Sequence, residues 1–198
     1  LIGIFKRALI CKKKFAEFIE LLGGCYDDDD KSELFALFAS LTGDKQDFTD
    51  FLTNVYGYSQ EDIENWIDEH DYSQYEDEEE AEYSQRLNLS HDVCLLFREF
   101  VYIYNDDWKM DYESLSQYIS ENIDQAFKVT FAECKTAFDE SEGKVMPTDV
   151  VRQKIEQQSN FTLLELKNGN DDVNFAIVKK ADKPKILTLA DELGFIAM

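Results

Sequence analysis

With 198 residues, 44% hydrophobic side chains, 15 Phe and 10 Tyr, the chain has the apolar material for a full core, which excludes intrinsic disorder despite a formal charge of −22. Two Pro and eight Gly are too few for the turns of an all-β fold. The charge is segregated: residues 1–25 carry five bases and two acids, residues 26–143 carry 7 bases and 32 acids, and residues 144–198 carry eight of each. A field of that sign repels phosphate backbones and argues against nucleic-acid binding. It attracts basic partners or cations, or serves solubility alone.

In chain order, FKRALICKKKFAEFIELLGG reads as an amphipathic helix that ends at Gly23-Gly24 and buries Phe15, Phe18, Ile19 and Leu22. Its lysines cluster at one end and form no stripe, so a core-packed helix is favoured over a membrane-surface one. In CYDDDDKSELFALFASL an EF-hand loop counted from Asp27 would place Ser32 sixth and Phe38 twelfth, where Gly and Glu are needed, so the EF-hand signature fails. Asp30 with Glu33 three residues on suggests a capping box instead. Phe48, Phe51, Leu52 and Val55 outline a short helix closing near Gly57. Ser59 to Asp62 start another, with Ile63, Trp66 and Ile67 inward.

From Asp68 to Glu82 there are nine acids and no Lys or Arg, which describes a solvated loop or helix extension, or else a docking surface for a basic partner. Ser90-His91-Asp92 resembles a helix start that leaves His91 exposed and inert, followed by inward Val93, Leu96, Phe97 and Phe100. Val101 to Tyr104 is a strand candidate by β-propensity. Asp111 can cap a helix with Leu115, Tyr118 and Ile119 inward, helical signals resume over Thr130 to Phe138, and Pro147 leads into another helix. FTLLELKNGNDDVNFAIVKK reads as a hairpin around Asn168-Gly169. Phe161, Leu163 and Glu165 point to one side and Thr162, Leu164 and Leu166 to the other, so helices are expected on both faces. Pro184 opens a closing helix that ends at Gly194.

These features predict an α+β fold, with a helix-rich N-terminal half, about three strands including the C-terminal hairpin, and a closing helix. The expected organisation is a single domain over 1–198, divided into a helical part (1–70), an acidic segment (71–86) and an α+β part (87–198). Cys11, Cys25, Cys94 and Cys134 lie far apart with no CxxC pair, which disfavours a disulfide framework or a zinc site. Reduced cysteines favour the cytoplasm, although an opening at Leu1 is compatible with a removed leader. No apolar run approaches the ~20 residues that span a bilayer.

DWK at Asp107 to Lys109 after a strand, the C-terminal hairpin, and LADELG at Leu189 to Gly194 together resemble an uncharacterised bacterial domain family of unknown function. The resemblance covers residues 60 to 195 and departs from the family in the acidic segment and in the NGNDD loop. It implies a small sheet with many helices, and neither a reaction nor a ligand.

No Walker lysine, HExxH, GxSxG or dinucleotide fingerprint is present, and His70 and His91 are the only histidines. No catalytic residue, metal ligand or cofactor is therefore assigned. Asp107, Trp108 and Lys109 form one candidate binding site, in which the lysine polarises a ligand and the aspartate moves a proton or holds a cation. The competing reading has Trp108 plugging the core while Asp106 and Asp107 satisfy backbone donors at the turn. The second candidate is the acidic face of Glu76, Asp77, Glu78, Glu79 and Glu80. The leading functional expectation is an acidic interaction module, such as an immunity-type protein neutralising a basic toxin. The alternative is a small enzyme or ligand-binding domain at the DWK corner. Neither nucleic acid nor membrane is an expected partner.

Overall fold

The computed structural model describes the backbone of residues 2–107 and 109–198 and the side chains of residues 12–73, 75–107 and 109–198. It is an α+β fold in which helices flank a small antiparallel sheet. Helix α1 (Ile2–Leu21) buries Phe15, Phe18, Ile19 and Leu22, the face its spacing predicts. The side chains of Lys6, Arg7 and Cys11 lie outside the described residues. Helix α2 (Asp28–Leu41) is capped by Asp27, whose carboxylate accepts from the Asp30 N–H at 2.9 Å, and not by Asp30. Any of four successive aspartates offers the chemistry. Asp27 is the one with the extended backbone of a cap, at φ −149° and ψ −173°.

Helix α3 (Gln46–Tyr56) buries Phe48, Phe51 and Leu52. Val55 falls on the same stripe but is 49% exposed, and Tyr56 packs against the core in that last turn instead. Helix α4 (Gln60–Glu69) opens on the expected Ser59–Asp62 capping box. Its inward row is Ile63, Trp66 and His70, and Ile67 on the flank of that row is exposed. A single 3-10 turn (Tyr72–Gln74) leads to α5 (Glu78–Phe100). Ser90-His91-Asp92 is therefore no helix start but the middle of a 23-residue helix, with Ser90 and Asp92 buried and His91 half-buried. The acidic block supplies the first turn of that helix, where carboxylates face the positive end of the dipole.

The strand expected at Val101–Tyr104 is displaced. Val101 makes only an isolated bridge with Cys25, and β1 is Tyr104–Asp107. β-Propensity favoured the earlier stretch, but pairing decides, with Asn105 opposite Asn174 and Asp107 opposite Asp172. Helices α6 (Tyr112–Ile123), α7 (Phe131–Glu140) and α8 (Pro147–Gln158) precede the hairpin of β2 (Phe161–Glu165) and β3 (Asp172–Lys179), and α9 (Lys183–Leu193) closes at Gly194. Strand order is β1-β3-β2, all antiparallel, so β3 is central.

The alternation along the hairpin divides the core in two. Leu164, Leu166, Ala176 and Val178 pack with α1–α5 and α9, in a cluster that includes the stacked pair Phe15–Phe38, whose ring centroids are 3.7 Å apart. Leu163, Phe175 and Ile177 face the opposite way, against α6–α8. From the last residue of β2 onward, residues 165–167 pair with the segment 196–198, Glu165 and Met198 exchanging both backbone hydrogen bonds at 2.9 and 2.8 Å.

Candidate functional site

The C-terminus of α3, helix α4, the middle of α5 and the hairpin loop enclose a cleft of about 810 Å³. α3 stops at Gly57, whose φ of +71° turns the chain so that Tyr56 and Tyr58 both flank the opening. The Tyr56 hydroxyl donates to the Leu95 carbonyl at 2.9 Å and ties that wall to α5. Asn88 Nδ2 donates to the Glu69 carbonyl at 2.9 Å, a second tie.

The floor is a buried polar trio. Asp92 has no solvent exposure, and its carboxylate accepts from Trp66 Nε1 at 3.0 Å while its other oxygen lies 2.8 Å from His70 Nε2. His70 Nδ1 is 2.7 Å from the Trp66 carbonyl, an acceptor only, so Nδ1 carries a proton and donates. A single proton then lies between Nε2 and Asp92, beyond the reach of solvent. Both ring nitrogens are engaged, which leaves no lone pair for a substrate or a metal. The trio is a clamp that joins α4 to α5.

The opposite wall is the hairpin loop. Gly169 adopts φ +76°, and a Cβ there would lie 2.8 Å from Leu87 Cγ, so the position requires glycine. The Asn168 side-chain oxygen Oδ1 accepts from the Asn170 N–H at 3.2 Å, whereas its Nδ2 is buried with no hydrogen-bond partner among the described residues. Asn170 Nδ2 donates to His91 Nδ1 at 3.1 Å, which leaves the His91 proton on Nε2. Desolvation, helped by Arg98, holds the His91 pKa below its ordinary value against the pull of Asp92, Glu69 and Asp172. Tyr58 is pushed up by burial and then by Asp92, Asp62 and Glu69, so its hydroxyl keeps its proton. The carboxylates of Asp62 and Glu69 stand exposed at the lining, where no Lys or Arg contributes.

The family profile described as Domain of unknown function (DUF6630) matches residues 15–197. The chain belongs to that family. Both walls of the cleft lie inside the match, which begins well before residue 60. Over 92 residues the chain is 34% identical to Uncharacterized protein PM0657 of Pasteurella multocida (strain Pm70), a stretch that is 46% of this chain and 22% of that protein. No solved structure matches.

Sequence reasoning pointed this DUF6630 chain toward two other places. Asp107 and Lys109 are exposed at the end of β1, and neither lines the cleft; Trp108 lies outside the described residues. The aspartates here organise backbone. Asp106 accepts from the N–H groups of Asp107 (2.8 Å) and Asp111 (2.6 Å) and from the Tyr104 hydroxyl (2.6 Å). Burial opposes its ionisation, but these hydrogen bonds prevail and hold its pKa low. Asp107 accepts from the Lys109 N–H at 3.1 Å.

In the acidic face, Asp77 is the N-cap of α5 and accepts from the Glu79 and Glu80 N–H groups at 2.8 and 3.2 Å. Glu76, Glu78, Glu79 and Glu80 are exposed around it and also stand outside the cleft lining. Among the described residues no group of three or more His, Cys, Asp or Glu could hold a metal ion, and no helix is long and apolar enough to cross a membrane. Cys25, Cys94 and Cys134 are free thiols, with Cys94 pushed up to about 12 by burial. The signal missed in the sequence was Asp92, a lone acid leading the apolar run Val93 to Phe97.

Proposed function

We propose that this chain is an acidic protein-interaction module whose cleft receives a lysine or arginine side chain from a basic partner. The observation that carries this reading is the lining: Asp62 and Glu69 beside Tyr56, Tyr58 and side-chain amides, with no cation of its own. Carboxylates next to aromatic faces favour an ammonium or guanidinium over a neutral group. The buried Asn168 Nδ2 lacks an acceptor among the described residues, and a backbone carbonyl of the incoming segment would supply one.

The surrounding charge supports the same partner. Residues 26–100, which supply α2–α5 around the cleft, carry 22 acids and 4 bases and would steer a basic protein toward this side and speed its association. One concrete version is an immunity-type protein that covers the phosphate-binding surface of a cationic toxin in the cytoplasm. The acidic turn at Glu76 to Glu80 would then act at the rim, through long-range attraction.

Calorimetric titration with a lysine- and arginine-rich peptide tests the reading. Wild-type affinity is expected to fall about tenfold or more between low and physiological salt. Asp62→Asn with Glu69→Gln should lower it about tenfold at fixed salt, and Asp47→Asn with Asp50→Asn, the same charge change on α3, about twofold or less. Equal losses in the two variants, or no binding at low salt, would overturn the assignment of the cleft.

A further inference from the structure

A second concavity, of about 930 Å³, lies on the other side of the molecule, between α7, the start of α8 and the β2 edge. Among the described residues, four of the nine exposed large hydrophobic side chains line it: Phe131 at 62% exposure, Phe138 at 39%, Met146 at 51% and Met198 at 46%. Scattered exposed apolar residues need no explanation, but four in one concavity do. Its volume falls in the range of small-molecule sites.

The charges in this groove are the reverse of those in the cleft. Four cations, Lys135, Arg152, Lys167 and Lys183, stand against Asp139, Asp149 and Glu165, a positive surplus in a chain of net −22. Three of the cations are paired: Lys135 with Asp139 at 2.5 Å, Arg152 with Asp149 at 2.8 Å and Lys167 with Glu165 at 2.5 Å. Lys183 has no ion pair among the described residues. Its Nζ and the Arg152 Nε converge on the Leu163 carbonyl oxygen, at 3.4 and 3.3 Å. Burial, followed by repulsion from Arg152, pulls the Lys183 pKa down against a weaker pull from Glu156. A half-buried cation beside another cation, at the margin of an apolar groove, is stabilised by an anion that brings its own apolar body.

We infer that this groove binds a small amphiphile with an apolar chain and a carboxylate head, the chain lying along Phe131, Phe138 and Met146 and the head on Lys183 and Arg152. The site is independent of the cleft, so the two assignments fail separately.

Decanoate, decanol and decylammonium, each below its micellisation concentration, are the probes, and calorimetry with backbone amide NMR is the readout. Wild type should bind decanoate about tenfold or more tightly than decanol, and decylammonium most weakly. Lys183→Met keeps the apolar stem and leaves Arg152 on the Leu163 carbonyl. It should bring decanoate down to the decanol level without changing decanol binding. Phe131→Glu, at an exposed position, should weaken both ligands, and thermal unfolding of each variant checks that the fold is kept. Equal binding of the three probes, a preference for the ammonium, full decanoate affinity in Lys183→Met, or no binding of decanoate would each overturn the inference.

Discussion

On one side of the sheet, the helices enclose a polar floor of Trp66, His70 and Asp92. On the other side, α6–α8 enclose an apolar cluster, and the charged groups stay at the margin of a groove. The difference shows two ways of handling polarity near a core. A fully buried carboxyl group persists because each of its oxygens has a hydrogen-bond partner, an indole N–H on one and an imidazole on the other. At the groove, cations remain partly exposed and one of them, Lys183, has no ion pair among the described residues. The first arrangement is complete within the chain, and the second has room for a ligand.

The comparison breaks most readily at the floor. Asp92→Ala leaves the His70 and Trp66 donors buried and unpaired, and should cost about 3–5 kcal/mol in urea denaturation. Leu115→Ala, fully buried on the opposite side, supplies the apolar reference at about 2–5 kcal/mol. A loss below about 1 kcal/mol for Asp92→Ala would mean that the clamp does not hold the floor. Next in size is Gly169→Ala, which combines a left-handed backbone with a Cβ directed at Leu87, and should cost about 1–3 kcal/mol. It should also disturb peptide binding, because Asn168 and Asn170 flank the substitution, while decanoate binding stays unchanged.

The smallest effect is one of pH. His91 has a depressed pKa in the folded protein, so below about pH 6.5 the unfolded chain takes up a proton that the folded chain refuses. Its contribution to stability is therefore present above that pH and is lost as the pH falls through the folded value. His91→Gln removes the contribution, so the stability gap between variant and wild type should narrow as the pH drops from 7 toward 5. A gap that stays constant over that range would show that the folded and unfolded chains take up the proton equally, and that the ring's pKa is not depressed.

Elements fixed by local chemistry were legible in the sequence. The face of α1, the Ser59–Asp62 box, the cap at Asp111, the turn at Asn168-Gly169 and the stop at Gly194 all follow from spacing or from residues with few alternatives. The two-sided apolar pattern of the hairpin also foretold helices on both faces. The cleft was not legible, because its parts come from α3, α4, α5 and the hairpin loop and meet only through tertiary packing. Asp92 was misread for a related reason. Ser90-His91-Asp92 has the composition of a cap, and only the packing shows that Ser90 receives the Ile196 N–H at 2.7 Å and Asp92 receives Trp66 and His70. The shift of β1 is another case, since its polar residues are placed by β3 and not by their own propensity.

The central claim is that a basic partner enters the cleft rather than merely gathering on the acidic surface. Side-chain NMR of the Trp66 indole and the His91 ring, followed during titration with the lysine- and arginine-rich peptide, tests it most directly. Both resonances should shift saturably, with a midpoint equal to the calorimetric affinity, and should stop responding in the Asp62→Asn, Glu69→Gln variant. If the amides of Glu76 to Glu80 shift while Trp66 and His91 stay fixed, the attraction is diffuse and the cleft is not the binding site.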